Sequence, residues 1–235
     1  MEKVVCQKCL NGLCASNVPI FKGLKDDELE KIVHLTQHRK YKKGETLLYE
    51  GDVTDTLFIV HEGMVKLSKF NSEGKEQILR ILKHGDFFGE LSIFGGIQKS
   101  NFNAYAIENV VVCVLSKSNM KSILENNSDI SLKIISSLSR QLANSENLAQ
   151  NLSSGTAESR TAFVLLELSD KYGVVGPDGI NLKLPISREE LASYAGLTRE
   201  TLSRKLSSFE NNGIIKSLGN RSILLIDLDY LKSVI

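Results

Sequence analysis

The stretch Ile186-Ser-Arg-Glu-Glu-Leu-Ala-Ser-Tyr-Ala-Gly-Leu-Thr-Arg-Glu-Thr-Leu-Ser-Arg-Lys-Leu206 leaves this chain little freedom in how it folds. Ser187, followed three residues later by Glu190, is a capping box that starts a helix, and Gly196 supplies the left-handed residue that ends it. Thr198 can cap a second helix, with Glu200 in its first turn, where a carboxylate meets the positive end of the helix dipole. Helices joined by so short a turn cross closely, and Ala192 is small enough to permit it. Leu191, Ala195, Leu197, Leu202 and Leu206 supply their shared core. The spacing is that of a helix-turn-helix.

On the second helix Arg199, Glu200, Ser203 and Arg204 stay outward, at the N-terminal end that this motif places in the major groove of DNA. Arg204 can make two hydrogen bonds to guanine O6 and N7, Glu200 can accept from a cytosine amino group, and Ser203 can contact a neighbouring base. Thr198 lies at the same end, and Lys205 suits a phosphate. A plain solvated face with a Glu200–Arg204 pair would also leave these residues outward, but such a pair is worth only ~0.3–0.5 kcal/mol. Capping, glycine position, apolar core and exposed face agree on the reading helix. Farther on, Ile214–Leu218, Gly219-Asn220 and Ser222–Ile226 read as a hairpin with a two-residue turn, which makes the element winged and puts Arg221 at the tip, facing phosphate.

The rest of the chain divides by texture. From Tyr41 to Leu115 come short β-branched and aromatic runs such as Leu57-Phe58-Ile59-Val60, punctuated by Gly63, Gly74 and Gly85 at intervals of eleven, the pattern of an antiparallel β-roll. Before them, 24–35 has helical spacing with Asp26, Asp27 and Glu28 at its start. After them, 118–152 lacks Pro and Gly, and Ile135, Leu138, Leu142, Ser145, Ala149 and Leu152 alternate in steps of three and four, the seam of a helix that pairs with another helix. A helix packed on its own domain would share part of that spacing. Ser153-Ser154-Gly155 is a hinge, 157–172 an amphipathic helix and 173–179 a loop. The expected organisation is a cysteine-bearing segment (1–20), a β-roll (21–116), a dimerisation helix (117–153) and a winged helix-turn-helix (156–235), an α+β chain.

Composition narrows the function. With 29 Lys and Arg against 28 Asp and Glu, the net charge of +1 excludes a nonspecific polycation, so any DNA contact comes from a local patch. No run approaches the ~18 apolar residues of a membrane span, and a cytoplasmic protein is expected. Neither a nucleophile–base motif nor a phosphate loop nor a paired-carboxylate setting is found, so an enzyme is not expected. Cys6, Cys9 and Cys14 cluster at the N-terminus and Cys113 lies in Val110-Val-Val-Cys-Val-Leu115. Four thiolates suit all-cysteine ligation of an iron–sulfur cluster and equally a structural zinc site, while a lone Cys in an apolar strand also reads as a small core residue. His34, His38, His61 and His84 form no ligand-spaced motif with the cysteines, so histidine ligation is not expected.

A β-roll, a seam helix and a C-terminal winged helix-turn-helix in that order resemble the CRP/FNR family of bacterial transcription regulators, over essentially the whole chain. The resemblance is most specific at Gly85-Asp-Phe-Phe-Gly-Glu-Leu91 and at Leu197-Thr-Arg-Glu-Thr-Leu-Ser-Arg204. In the cyclic-AMP branch an Arg-Ser pair about ten residues after Gly89-Glu90 binds the cyclic phosphate and ribose. Ser100 and Asn101 stand there in this chain, so the phosphate lacks its bidentate partner and cyclic-nucleotide control is not expected. Glu90 is then a structural acid. The oxygen-sensing FNR-type branch carries three N-terminal Cys and a fourth in the roll around a 4Fe-4S cluster, matched by Cys6, Cys9, Cys14 and Cys113. The gap of four residues between Cys9 and Cys14 is one shorter than in the best-known members.

The resemblance thus implies a homodimer that binds a palindromic DNA site with a GA step in each half, read by Glu200 and Arg204, and that contacts RNA polymerase. It also implies an oxygen-, redox- or NO-sensing cluster that controls dimer geometry. In the oxygen sensors an acidic residue weakens the seam. Ser145 holds that place here, which directs the expected response to orientation more than to dimerisation. The alternatives are a cluster-free member governed by thiol redox or a small effector, and a zinc-binding interaction protein.

Overall fold

The computed structural model describes residues 18–96 and 99–235. They form two compact units: the described residues up to Lys69 with Leu79–Gln141, and Leu142–Ile235 with Phe70–Ile78.

The first unit opens with a 3-10 turn, Pro19–Phe21, and helix α1, Asp26–Leu35. The Lys25 main-chain N–H donates to the Glu28 carboxylate at 2.9 Å, so α1 begins two residues later than Leu24, where its acidic first turn meets free backbone donors. Strands β1 (Gln37–Tyr41), β2 (Thr46–Leu48), β3 (Thr56–Glu62), β4 (Val65–Phe70), β5 (Glu76–Leu82), β6 (Phe87–Phe88), β7 (Asn103–Ala106) and β8 (Val110–Ser116) follow. They build two four-stranded sheets, ordered β1-β8-β3-β6 and β2-β7-β4-β5. Gly63, Gly74 and Gly85 fall between successive strands, which accounts for their spacing.

The roll has two cores. One gathers Phe58, Val60, Val65, Leu67, Phe88 and Ala104 among others, with the Phe58 and Phe88 rings stacked at 4.7 Å. The other joins Leu57, Ile59, Cys113 and Leu115 to Val18, Ile20 and Phe21 before α1 and to Ile130 and Ile134. Alternate residues of β3 thus point to opposite cores, as a strand buried on both faces requires.

The helical stretch after β8 is two helices, not one. A short turn, α2 (Glu90–Ile93), lies within the roll; α3 (Lys117–Asn126) and α4 (Ser128–Ser154) succeed β8. The break is at Asn127, whose Nδ2 donates to Ile123 O at 3.0 Å and whose carbonyl accepts from Ile130 N–H at 3.2 Å. An Asn side chain that serves the backbone in this way ends one helix and starts the next without Pro or Gly. Met120 and Ile123 then seal α3 onto the roll.

In the second unit α5 (Ala157–Tyr172) has the bounds its periodicity gives, with the Thr156 hydroxyl accepting from Ser159 N–H. The expected loop at 173–179 is instead a hairpin of β9 (Gly173–Gly176) and β10 (Gly179–Lys183): Val174 and Val175 supply strand propensity on one side of a Pro177-Asp178 turn. Next come α6 (Arg188–Tyr194), α7 (Arg199–Asn211), β11 (Ile215–Ser217), β12 (Ser222–Leu225) and α8 (Leu228–Ser233). The sheet order is β11-β12-β10-β9. At the wing the Leu218 N–H donates to Ser222 O at 2.9 Å, which leaves Gly219, Asn220 and Arg221 in the turn, one residue more than expected. Helix α8 was not foreseen; its cap is Asp227, which accepts from Tyr230 N–H at 2.8 Å, and its anchor is buried Leu231.

Candidate functional site

Local hydrogen bonds build the helix pair. Ser187 Oγ accepts from Glu190 N–H at 3.2 Å while Ser187 N–H donates to Glu190 Oε2 at 2.9 Å, closing the capping box of α6. The chain turns at Gly196 with φ of 63°, and Leu197 N–H returns to Ala192 O at 2.9 Å. A Cβ on Gly196 would lie 2.6 Å from Leu152 Cδ2, the movable end of a side chain, so the turn needs glycine chiefly for its conformation. Thr198 Oγ1 accepts from Thr201 N–H at 3.2 Å and starts α7. Leu191, Ala192, Ala195, Leu202 and Leu206 are buried, and Leu197 is half-buried.

That core turns Thr198, Arg199, Glu200, Ser203 and Arg204 to solvent. Arg204 Nη2 donates to Thr201 Oγ1 at 3.3 Å rather than to Glu200, which leaves the Glu200 carboxylate without a partner among the described residues. Lys205 has a partner of its own: Nζ lies 3.3 Å from Glu158 Oε2, and Tyr230 Oη donates to Glu158 Oε1 at 2.6 Å. The Tyr230 hydrogen bond, opposed by burial and reinforced by Lys205, holds the Glu158 carboxyl below the usual carboxylate range; the same bond raises the Tyr230 phenol.

Beside the reading helix a cleft is lined by Ser187, Arg188, Arg199, Ser217, Asn220 and Arg221. Its lining holds three arginines and one acid, Glu189. Arg188 Nη1 is buried with no hydrogen-bond partner among the described residues, and burial lowers its pKa against the opposing pull of Glu210. Sequence reasoning passed over Arg188, because its place beside the wing follows from the fold; its signal was a basic residue directly after an N-cap.

In the roll Gly89 has φ of 91°, and a Cβ there would stand 2.3 Å from Thr56 O. Glu90 is held by Arg80 (Nη1 to Oε1, 2.9 Å), whose Nη2 also donates to Phe87 O at 3.0 Å. Glu90 Oε2 is buried without a partner among the described residues. Ser100 is buried and its hydroxyl donates to Phe102 O at 2.7 Å, while Asn101 is exposed.

Cys113 is a buried free thiol on β8, in the same apolar cluster as Val18, Ile20 and Phe21. Its neighbour is a histidine: His38 Nε2 lies 3.3 Å from Cys113 Sγ, a contact that sequence spacing did not reveal. Cys6, Cys9 and Cys14 lie outside the described residues. Among the described residues, no three His, Cys, Asp or Glu converge on a metal-sized site. Along α4, Ile135, Leu142, Ser145 and Ala149 are exposed, as is Leu132, which the sequence reading did not include; Leu138 packs partly onto the roll core. No helix among the described residues is long and apolar enough to cross a membrane.

Two families match the two ends of the chain: a cyclic nucleotide-binding domain over residues 38–127 and a Crp-like helix-turn-helix domain over 159–234. The transcriptional regulatory protein btr of Bordetella pertussis is 30% identical over 98% of this chain and 93% of its own length. The chain belongs to the CRP/FNR family. Other members include a CRP-like cAMP-activated global transcriptional regulator of Mycobacterium tuberculosis, 28% identical over 90% of this chain and 94% of that one. An anaerobic regulatory protein of Bacillus subtilis is 26% identical over 89% and 88%. The structure of FixK2 from Bradyrhizobium japonicum superposes with a TM-score of 0.75 at 28% identity, covering 85% of this chain and 96% of that one.

As a CRP/FNR protein this chain is a DNA-binding transcription regulator and not an enzyme. Its α+β architecture of antiparallel roll, long helix and C-terminal helix-turn-helix is that of the family.

Proposed function

We propose that this regulator senses oxygen, redox state or NO through a 4Fe-4S cluster held by Cys6, Cys9, Cys14 and Cys113, and so controls how a dimer presents its reading helices. The observation that carries the reading is the place of Cys113: a free thiol in the cluster of apolar side chains that includes Val18, four residues after Cys14. A soft thiolate donor in a mostly apolar wall fits an iron–sulfur ligand. When bound, the cluster supplies an oxygen-labile centre; the chain supplies the linkage, since ligation would fasten the N-terminal segment to the strand that leads into α3 and α4.

Other features support the same scheme. Arg80 already occupies Glu90, and Ser100 stands where the cyclic-AMP branch has its phosphate-binding Arg, which favours a cluster over a cyclic nucleotide as the signal. The exposed apolar stripe of Leu132, Ile135 and Leu142, continued by Ser145 and Ala149, suits a homodimer seam. Such a dimer sets two α7 helices one DNA turn apart, ~34 Å, over a palindrome with a GA step in each half. Thr198, Arg199, Glu200, Ser203 and Arg204 line the base-reading end. Arg188, Arg199 and Arg221 line, with Glu189, a cleft whose excess of positive charge suits a backbone phosphate, and Lys205 is paired with Glu158. RNA polymerase is the further partner, and the cytoplasm the compartment.

Anaerobic purification tests the reading. About four iron and four sulfide per chain are expected, with operator binding that changes on exposure to air and that no longer responds once the four Cys are replaced by Ser. Colourless, iron-free protein, or Cys→Ser protein that still answers to air, refutes the cluster. The first of these results leaves a thiol- or effector-controlled member of the family, and zinc without sequence-selective DNA binding would indicate an interaction protein.

A further inference from the structure

Cys113 does not face the apolar core alone. Strands β1 and β8 pair antiparallel with His38 directly opposite Cys113, and the register brings His38 Nε2 to 3.3 Å from the sulfur. The ring has an aromatic neighbour as well. Buried His61 on β3 meets His38 edge-on, centroids 6.2 Å apart and planes at 78°. Exposed His84 meets His61 at 6.0 Å, and its Nδ1 donates to the His61 carbonyl at 2.6 Å. Three imidazoles therefore lie in a row that ends at the thiol: exposed His84, buried His61 and, beside the sulfur, half-buried His38, which sheet register places.

We propose that His38 is the positioning residue for Cys113, its Nε2–H donating a hydrogen bond to the sulfur. The proposal rests on the reading of Cys113 as a cluster ligand. A thiolate among Leu57, Ile59 and Leu115 needs a donor, because a charge buried without a partner is strongly disfavoured. A hydrogen bond to an ionised acceptor is about twice as strong as a neutral one. It also draws electron density from a sulfur bound to iron, and hydrogen bonds to sulfur are among the terms that set the reduction potential of a cluster. His38 thereby makes the centre harder to oxidise and steadies the fourth ligand.

Two variants test this. His38→Leu keeps the bulk and removes the donor; His38→Gln returns an amide N–H at the reach of Nε2. In anaerobically purified protein the Leu variant is expected to show a more negative midpoint potential and to lose its visible absorbance in air about 10-fold faster. The Gln variant is expected to recover most of both. Equal potentials and equal air lifetimes in all three proteins overturn the proposal while leaving the cluster reading intact. Should the wild-type protein prove iron-free, the cluster reading falls and this proposal falls with it, an outcome distinct from equal potentials in iron-loaded protein.

Discussion

The hydrogen bonds that shape the reading element join residues close in the chain, Ser187 with Glu190, Thr198 with Thr201 and Leu197 with Ala192, whereas Cys113 meets His38 from 75 positions away. In the function proposed above both regions serve recognition, one of base edges and the other of a cofactor. They differ in how their geometry is secured. The helix pair is closed by caps and a glycine turn that belong to one contiguous run, and its working side chains only have to face outward. The cysteine wall is assembled by strand register from β1, β3 and β8, and its working side chains face inward, where each depends on neighbours from distant parts of the chain. Local closure tolerates small shifts; closure by register does not, since a slip of one residue turns every side chain to the other face.

Glycine substitutions test that contrast most strongly. Gly89→Ala puts a Cβ 2.3 Å from the Thr56 backbone carbonyl at a positive φ, and the strand that carries this carbonyl is held by its pairing with β8; a loss of ~2–3 kcal/mol in unfolding free energy is expected. At Gly196 the obstacle is the end of the Leu152 side chain, which can move, so Gly196→Ala should lose ~1–2 kcal/mol. Denaturant unfolding of both variants measures the order; a larger loss at Gly196 would mean that the helix turn, not the roll, is the less forgiving region.

Arg204→Ala sharpens the comparison from the other side. Because Arg204 is exposed and bonded only weakly within α7, the substitution should leave stability unchanged yet weaken operator binding by ~1–3 kcal/mol and relax selectivity at one base pair. Titration on operator and on scrambled duplex decides it, since equal losses on both would make Arg204 a backbone contact instead.

The smallest effect concerns Glu158. Its folded-state pKa lies below the ordinary 4.5, so the stability it contributes is present above that value and is lost as pH falls toward the lowered one. Tyr230→Phe removes the largest cause of the lowering. The variant should therefore lose less stability than wild type when pH is taken from above the carboxylate range to below it, as read by thermal unfolding. Equal acid sensitivity would show that Lys205 suffices to hold the carboxylate.

The helix pair was legible because its signals are properties of neighbouring residues: Ser187 with Glu190, Gly196 and Thr198 each state a local requirement. The long helical stretch after the roll was legible as helix but not as two, because Asn127 ends α3 with a side-chain hydrogen bond instead of a breaker residue. The β9–β10 hairpin was hidden by Gly173, Gly176, Pro177 and Gly179, which mark a turn in either reading. Arg188 went unnoticed since its neighbours Arg199 and Arg221 come from the next helix and the wing.

What the amino-acid order determined by itself is therefore the set of elements whose hydrogen bonds close within a few residues: the caps, the turn at Gly196, and the outward set from Thr198 to Arg204. Tertiary structure alone decided that Lys205 answers Glu158, that Arg80 fills the acid of Gly89-Glu90, and that Cys113 has an imidazole at its side. The reason is physical. A local hydrogen bond needs only the right residue types at the right offset, but a partner across a sheet or between helices is chosen by register and packing, which the whole core fixes at once.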